Sequence, residues 1–350
     1  MKRFKSLFCL CMILGLLVIL TGCPKSANTV EPKGMVYFSF FDTVSYVYSY
    51  AGDSQEDFAD RCGKVAEILE EYHGLFDIYH EYSGIANLRT INLNAGKEPV
   101  KVDKALIDFL IYAKELYYTT NGEMNIMMGS VLKLWHDCRE MASSSSSNNK
   151  IPTTEELENA SLHTDISCLE IDEENQTVHI TDPEASIDVG ALGKGYATEK
   201  AAEYLRSIGV SGYVLNIGGN ICIVGHKTDG SGWKTGIKDP SDPESYALTL
   251  DLADTSCVTS GDYERYFISD NVKYHHIIDK DTLMPSVYFR SVTVITNNSG
   301  LADSLSTALF TMSYEDGLSL VNKLGGVEVL WITKDGTQYR TDGLEKLISK

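Results

Sequence analysis

The apolar positions of this chain fall into two rhythms. Between residues 56 and 76, Phe58, Cys62, Val65, Leu69, Tyr72 and Phe76 recur at three- and four-residue steps, which sets them on one side of a helix. Leu106, Phe109, Leu110, Ala113 and Leu116 repeat the pattern over 104–118, and Ala197, Ala201, Leu205 and Ile208 do so over 195–208. Gly209 then supplies a helix stop. A shorter helix is expected over 301–313, packing on Leu305, Ala308, Leu309 and Met312. Other stretches read as strands. "MVYFSFFDTVSYVYSYAG" (35–52) predicts one or two, and "CLEIDEENQTVHI" (168–180) predicts a hairpin with a polar turn. Further strands are expected over 233–240, 246–253 and 291–296. "GYVLNIGGNICIVG" (212–225) is a strand pattern broken by Gly218 and Gly219, which points to a bulge or a close backbone approach. Strands and helices come in mixed order, without βαβ alternation or an internal repeat. The fold class expected is therefore α+β.

The N-terminus follows neither rhythm. Lys2, Arg3 and Lys5 precede an unbroken apolar run from Leu7 to Leu20, the pattern of a secretory signal and short for a spanning helix. The run ends in Leu20-Thr21-Gly22-Cys23, which resembles a bacterial lipobox. That resemblance implies cleavage before Cys23, a lipid on its sulfur, and a domain held on the extracytoplasmic side of the bacterial cell membrane. The alternative is a plain N-terminal anchor. The expected organisation is a signal peptide over 1–22, a lipidated Cys and polar tether over 23–34, and one domain over 35–350. "ASSSSSNN" (142–149) is of low complexity and is expected to be a surface loop.

Composition narrows the function. The 350 residues are 43% hydrophobic and carry a net charge of −19. So acidic a surface repels nucleic-acid backbones, so no nucleic-acid partner is expected. Any polyanionic ligand must be held locally, by a metal ion, backbone amides or a few placed cations. Of eight cysteines, Cys62, Cys138, Cys168, Cys222 and Cys257 remain beyond Cys23. They are scattered, odd in number and without a C-x-x-C pair, which favours buried free thiols over zinc.

Three stretches could carry chemistry. "ASIDVGALGKGYATEKAAEYLRSIG" (185–209) sends a glycine turn with Asp188, Gly190, Gly193, Lys194 and Gly195 into a helix N-terminus. Exposed N–H groups and the helix dipole favour an anion there, although a purely structural turn has the same pattern. In "LADSLSTALF" (301–310), Asp303 and Thr307 stand four apart, so a helix puts both oxygens on one face. They are hard ligands suited to Mg²⁺, though a cap or solvated face reads the same way. "TSGDYERYFISDNVKYHHIID" (259–279) carries His275 and His276; strand alternation sends them to opposite faces, leaving one free to act as a base.

Taken in order, "DVGALGKGYATEKAAEYL", "LNIGGNI", "TSGDYERYF", "HHIID" and "SVTVIT…LADSLSTALF" resemble the ApbE family, the FAD:protein FMN transferases. "FFDTVSYVYSY", "HGLFDIYHEYSGIANL" and "NGEMNIMMGSVLKLWHDC" extend the resemblance to roughly residues 37–340. It implies a single T-fold-like domain of mixed, mainly antiparallel sheet with packed helices and an FAD cleft at the glycine turn. It implies Mg²⁺-dependent transfer of the FMN moiety of FAD to a Ser or Thr hydroxyl of a target protein, with release of AMP. The target would carry a Ser/Thr-Gly-Ala-Thr-like motif and belong to a membrane redox system.

By the same resemblance, Asp188 and Lys194 contact FAD, as do Phe41, Asn125 and Ile278. The Ala191 carbonyl, Asp303 and Thr307 hold Mg²⁺, and His276 is the general base. Two residues depart from the family pattern. Asn125 stands where many members have Asp, and Ser306 where some have a second metal-binding Asp. Two other readings of the same site are an Mg²⁺-dependent FAD pyrophosphatase and a non-catalytic flavin-binding lipoprotein. A generic solute-binding lipoprotein would need two similar α/β lobes, which the pattern lacks.

Overall fold

A computed structural model describes residues 30–144 and 150–349. The expected signal peptide, Cys23, most of the tether and residues 145–149 of the Ser/Asn run lie outside the described residues.

The chain opens with a hairpin of β1 (Lys33–Phe40) and β2 (Thr43–Ser49). Next come α1 (Gln55–Phe76), α2 (Leu88–Leu93), β3 (Val100–Lys101), α3 (Lys104–Thr119), α4 (Gly129–Ser144) and α5 (Thr154–Ser161). A hairpin of β4 (Leu169–Asp172) and β5 (Thr177–Ile180) leads to α6 (Gly193–Ser207). Seven strands follow: β6 (Tyr213–Ile217), β7 (Asn220–Val224), β8 (Trp233–Asp239), β9 (Asp242–Leu252), β10 (Ser256–Gly261), β11 (Tyr266–Ser269) and β12 (Val272–His275). After β13 (Phe289–Thr296) come α7 (Ser299–Thr311), α8 (Tyr314–Leu324), β14 (Glu328–Thr333) and β15 (Gln338–Arg340).

The main sheet has eight strands in the order β1-β2-β6-β7-β10-β13-β14-β15, every neighbouring pair antiparallel. Helices α1, α6 and α7 cover one face, with Val65, Leu69, Ala197, Ala201, Leu305 and Leu309 fully buried. The β8–β9 hairpin covers part of the other, through Trp233, Leu250 and Leu252 against Ile223, Ile295 and Leu330. This is the α+β architecture expected, with β3-β5-β4 as a separate small sheet.

Local chemistry explains the elements. The Ser54 side chain caps α1 by accepting the Asp57 N–H, with Glu56 and Asp57 in the first turn, where the helix dipole favours acids. Every residue of the expected α1 stripe is buried. In α6 the stripe holds for Ala197, Ala201 and Leu205, whereas Ile208 is the C-cap residue and exposed. The helix closes one residue earlier than its apolar pattern, because Gly209 follows at φ 73°.

Gly218 and Gly219 form neither a bulge nor a mid-strand break. They are the two-residue turn joining β6 to β7, at φ 57° and 94°. The close-approach reading does hold for Gly218, where a Cβ would collide with the Thr43 side chain. Strand β1 begins at Lys33, inside the expected tether, because Lys33 already pairs with Ser49. Helix α4 runs through the first serines of the expected loop, to Ser144. No described helix is long and apolar enough to cross a membrane. Among the described residues all five cysteines are free, and all but Cys168 are buried.

Candidate functional site

The main sheet opens at its middle. Strands β7 and β10 pair only at Ser256–Cys222 and Cys257–Ile221, and beyond Cys257 strand β10 continues against β13 alone. The splayed ends face the start of α6, one side of α7, the loop before α4 and the β11–β12 hairpin. Together they enclose an open cleft of about 1360 Å³. Pockets for drug-sized ligands run to roughly 1000 Å³, so this cleft has room for a dinucleotide. Phe41, Asn125, Asp188, Ala191, Lys194, His276, Ile278, Asp303 and Thr307 all line it.

The junction of α6 with α7 is its most constrained part. The buried carboxylate of Asp303 accepts the Gly195 N–H through Oδ2 at 2.8 Å. As a first-turn residue of α6, Gly195 has an N–H with no partner inside the helix, and Asp303 supplies one. Asp303 Oδ1 and the Ala191 carbonyl at the cleft wall are left for a cation. Only glycine permits the approach, because a Cβ at 195 would collide with Asp303 Cβ and the Ser299 carbonyl oxygen. Glu199 holds the same seam. It is buried on α6, pairs with Arg206, and accepts the Ser299 N–H at the start of α7 at 2.6 Å. Burial pushes the Asp303 carboxyl above the usual carboxylate range, partly offset by the Lys194 ammonium and the Gly195 N–H. A buried carboxylate so placed is poised for a cation.

Asp303, Thr307 and the Ala191 carbonyl offer one carboxylate, one hydroxyl and one backbone oxygen. Among the described residues no three His, Cys, Asp or Glu side chains gather into a metal cage. This oxygen-only set fits Mg²⁺, which keeps several of its own waters. Ser306 does not replace a carboxylate ligand. Its hydroxyl donates to the Asp303 carbonyl at 2.9 Å and lies 2.8 Å from Ser260 on β10. Ser260 in turn lies 3.2 Å from Thr307 Oγ1.

The two histidines part as alternation predicts. His275 is buried; its Nε2–H donates to the Ser286 carbonyl at 3.0 Å and its Nδ1 accepts the Ile277 N–H. Both nitrogens are thus spent on structure. His276 lies half-buried on the cleft wall, with Nδ1 3.1 Å from the Arg265 carbonyl. A carbonyl only accepts, so Nδ1 carries the proton and Nε2 keeps its lone pair. Burial, with Arg265, Lys194 and His275 nearby, pushes the imidazole pKa down to about 3. At neutral pH it is an uncharged proton acceptor.

Asp188 Oδ1 accepts the Gly190 N–H at 2.8 Å, closing the glycine turn, and the Lys194 ammonium reaches the Gly190 carbonyl at 3.4 Å. Burial raises the Asp188 carboxyl, against the fields of His136, Arg139 and Arg265. Arg139, Arg265 and Lys194 line the cleft of an otherwise acidic protein. Asn125 is less free than a flavin-binding amide would be. Its Nδ2 donates to the Thr164 carbonyl and its Oδ1 accepts the Met127 N–H, both at 2.9 Å, so one N–H remains for a ligand. Phe41 and Asp42 make the β1–β2 turn at φ 52° and 51°, costly for a phenylalanine. The Phe41 N–H donates to His73 Nδ1 at 3.2 Å, which holds the ring at the cleft mouth. Ile278 packs with Trp135 and Phe267, and all three line the cleft.

Sequence reasoning did not single out Ser260, Arg139, Arg265 or Glu199. Ser260 and Arg265 fall in a block that was recognised, but their role depends on partners 11 to 47 residues away, beyond any local spacing.

Comparison with known proteins bears on the same region. The ApbE family model matches residues 42–331. A Vibrio cholerae FAD:protein FMN transferase is 31% identical over 96% of this chain and 98% of its own. One from Treponema pallidum is 31% identical over 71% of each. Among solved structures, an ApbE protein from Thermotoga maritima superposes with a TM-score of 0.80 at 26% identity, over 91% of this chain and all of its own. The flavin transferase ApbE of Vibrio cholerae gives 0.75 at 27%, over 91% and 99%.

Proposed function

The chain belongs to the ApbE family, and from that membership we infer that its cleft is the site of an FAD:protein FMN transferase. The observation that carries the reading is the convergence in one cleft of a neutral histidine with a free Nε2, a buried carboxylate pinned to a helix start, and a lysine-bearing glycine turn. The acceptor hydroxyl oxygen attacks the phosphorus of the FMN half, the O–P bond forms, and the pyrophosphate bond on the far side breaks to release AMP. His276 Nε2 takes the hydroxyl proton, a role worth about 10²–10⁴ in rate. Lys194, Arg139 and Arg265 bring positive charge to the pyrophosphate, and Phe41 and Ile278 offer apolar surface to the rings.

Asp303, Thr307 and the Ala191 carbonyl would hold Mg²⁺. When bound, the ion neutralises the phosphate charge that an acidic protein must otherwise oppose. We further propose that the acceptor presents a Ser/Thr-Gly-Ala-Thr-like motif on a membrane redox subunit. The chain would meet it on the extracytoplasmic side of the membrane, tethered through lipid on Cys23.

The test mixes the full chain, in mild detergent, with FAD, Mg²⁺ and a small acceptor domain bearing that motif, with EDTA as control. The expected result is an acceptor heavier by one FMN, formed only with metal. Free FMN and AMP without an adduct would make the protein a pyrophosphatase. Bound but unchanged FAD would make it a binder.

A further inference from the structure

We propose that Ser260 and Ser306 form a hydrogen-bond relay that fixes the proton of Thr307 and turns the oxygen lone pairs of that residue toward the cleft as a cation ligand. The inference rests on the Mg²⁺ reading of the Asp303–Thr307 site and adds two residues to it.

The argument is one of proton accounting. A serine or threonine hydroxyl has a single proton and two lone pairs. Ser306 Oγ lies 2.9 Å from the Asp303 carbonyl, which can only accept, so the Ser306 proton is committed there. The 2.8 Å contact between Ser260 and Ser306 must then use the proton of Ser260. With that proton spent, the 3.2 Å contact between Ser260 and Thr307 must use the proton of Thr307. The relay runs one way: Thr307 to Ser260, Ser260 to Ser306, and Ser306 to the backbone of Asp303. Thr307 lines the cleft, and on this accounting its Oγ1 has its proton turned away toward Ser260 and both lone pairs unused.

A threonine within a helix ordinarily donates its proton to the carbonyl one turn back. For Thr307 that carbonyl is Asp303 O, and here it is served by Ser306. The relay also joins β10 to α7, so the strand that opens the cleft sets the orientation of a ligand on the helix. This gives Ser306 a purpose without a second carboxylate. It acts from behind Thr307 as a positioning residue and does not touch the ion.

Outer partners of this kind typically change metal affinity about 10–100-fold. The test measures Mn²⁺ binding to the full chain in mild detergent, by loss of the free-ion EPR signal, with saturating FAD and no acceptor. Ser260→Ala should weaken Mn²⁺ at least about tenfold, Thr307→Ala more, and Ser260→Thr, which keeps the hydroxyl, should restore binding. In the Thr307→Ala background, Ser260→Ala should cost nothing further, because its effect passes through that oxygen. Thermal unfolding of each variant separates folding loss from site loss. Wild-type affinity in Ser260→Ala, or losses that multiply in the double variant, would overturn the relay while leaving the metal site standing. Absence of Mn²⁺ binding by the wild-type chain, with Mg²⁺ unable to compete, would overturn both.

Discussion

The protonation of His276 is settled at the scale of the single residue. An unperturbed histidine titrates near 6.5, and that value is what made one attractive as a base in the sequence. The folded chain moves it to about 3, through burial and then through Arg265, Lys194 and His275. Between about pH 3 and 6.5 the unfolded chain binds a proton that the folded chain refuses. Folding stability contributed by this group is therefore present above 6.5 and lost as the pH falls toward 3. His276→Gln should flatten that part of the stability–pH curve for the ligand-free protein. In NMR the His276 ring should stay neutral down to about pH 4, and FAD should raise its midpoint by placing phosphate charge beside it. A midpoint near 6.5 in the empty cleft would remove the structural account of this residue. Alternation in "HHIID" showed that the two histidines face opposite ways, and the family resemblance, not the pattern, pointed to His276 as the one proposed for the base. Its electrostatics were legible in neither, since Lys194 is 82 residues away in sequence and Arg265 reaches it by hairpin pairing.

At the scale of elements, the site depends on how closely α6 and α7 approach. Periodicity revealed both helices, and the glycine run before α6 marked a special turn. The reason for Gly195 was hidden, because it lies in the Cβ of Asp303, 108 residues on. Gly195→Ala should push α7 off α6, costing about 1–3 kcal/mol as overpacking and abolishing Mn²⁺ binding together with transfer. Gly63→Ala is the control. It sits on the exposed side of α1 with nothing within 4 Å of an added Cβ, and should stabilise by about 0.5–1 kcal/mol. Chemical denaturation of the two variants checks both signs; a neutral Gly195→Ala would show the α6–α7 contact to be slack. Helices α2, α4, α5 and α8 were not read from the pattern. Helix α2 has six residues, too few for a period to show. Helix α4 buries Trp135 and Cys138 against the β11–β12 hairpin through Phe267, a pairing that local sequence does not encode.

At the scale of the whole molecule, charge and tether act together. With a net charge of −19 over the whole chain, the protein is repelled by the anionic lipids of a bilayer, so its net charge gives it no hold there. On the proposed membrane localisation, attachment would rest on the covalent lipid at Cys23. Lys33, where β1 begins, is ten steps along the chain from Cys23, and even fully extended those steps span no more than about 35 Å. With the proposed lipid on Cys23, so short a reach would keep the cleft near the membrane face and confine its search for acceptors to proteins embedded there. Cys23→Ser should move the chain from the membrane to the soluble fraction. The purified variant should still modify a soluble acceptor domain at the wild-type rate, because no residue of the cleft has changed. Flavinylation of a membrane acceptor in cells should fall, since the tether no longer raises the local concentration of enzyme. Membrane retention of Cys23→Ser would instead assign the apolar run Leu7–Leu20 as the anchor and give Cys23 no part in attachment.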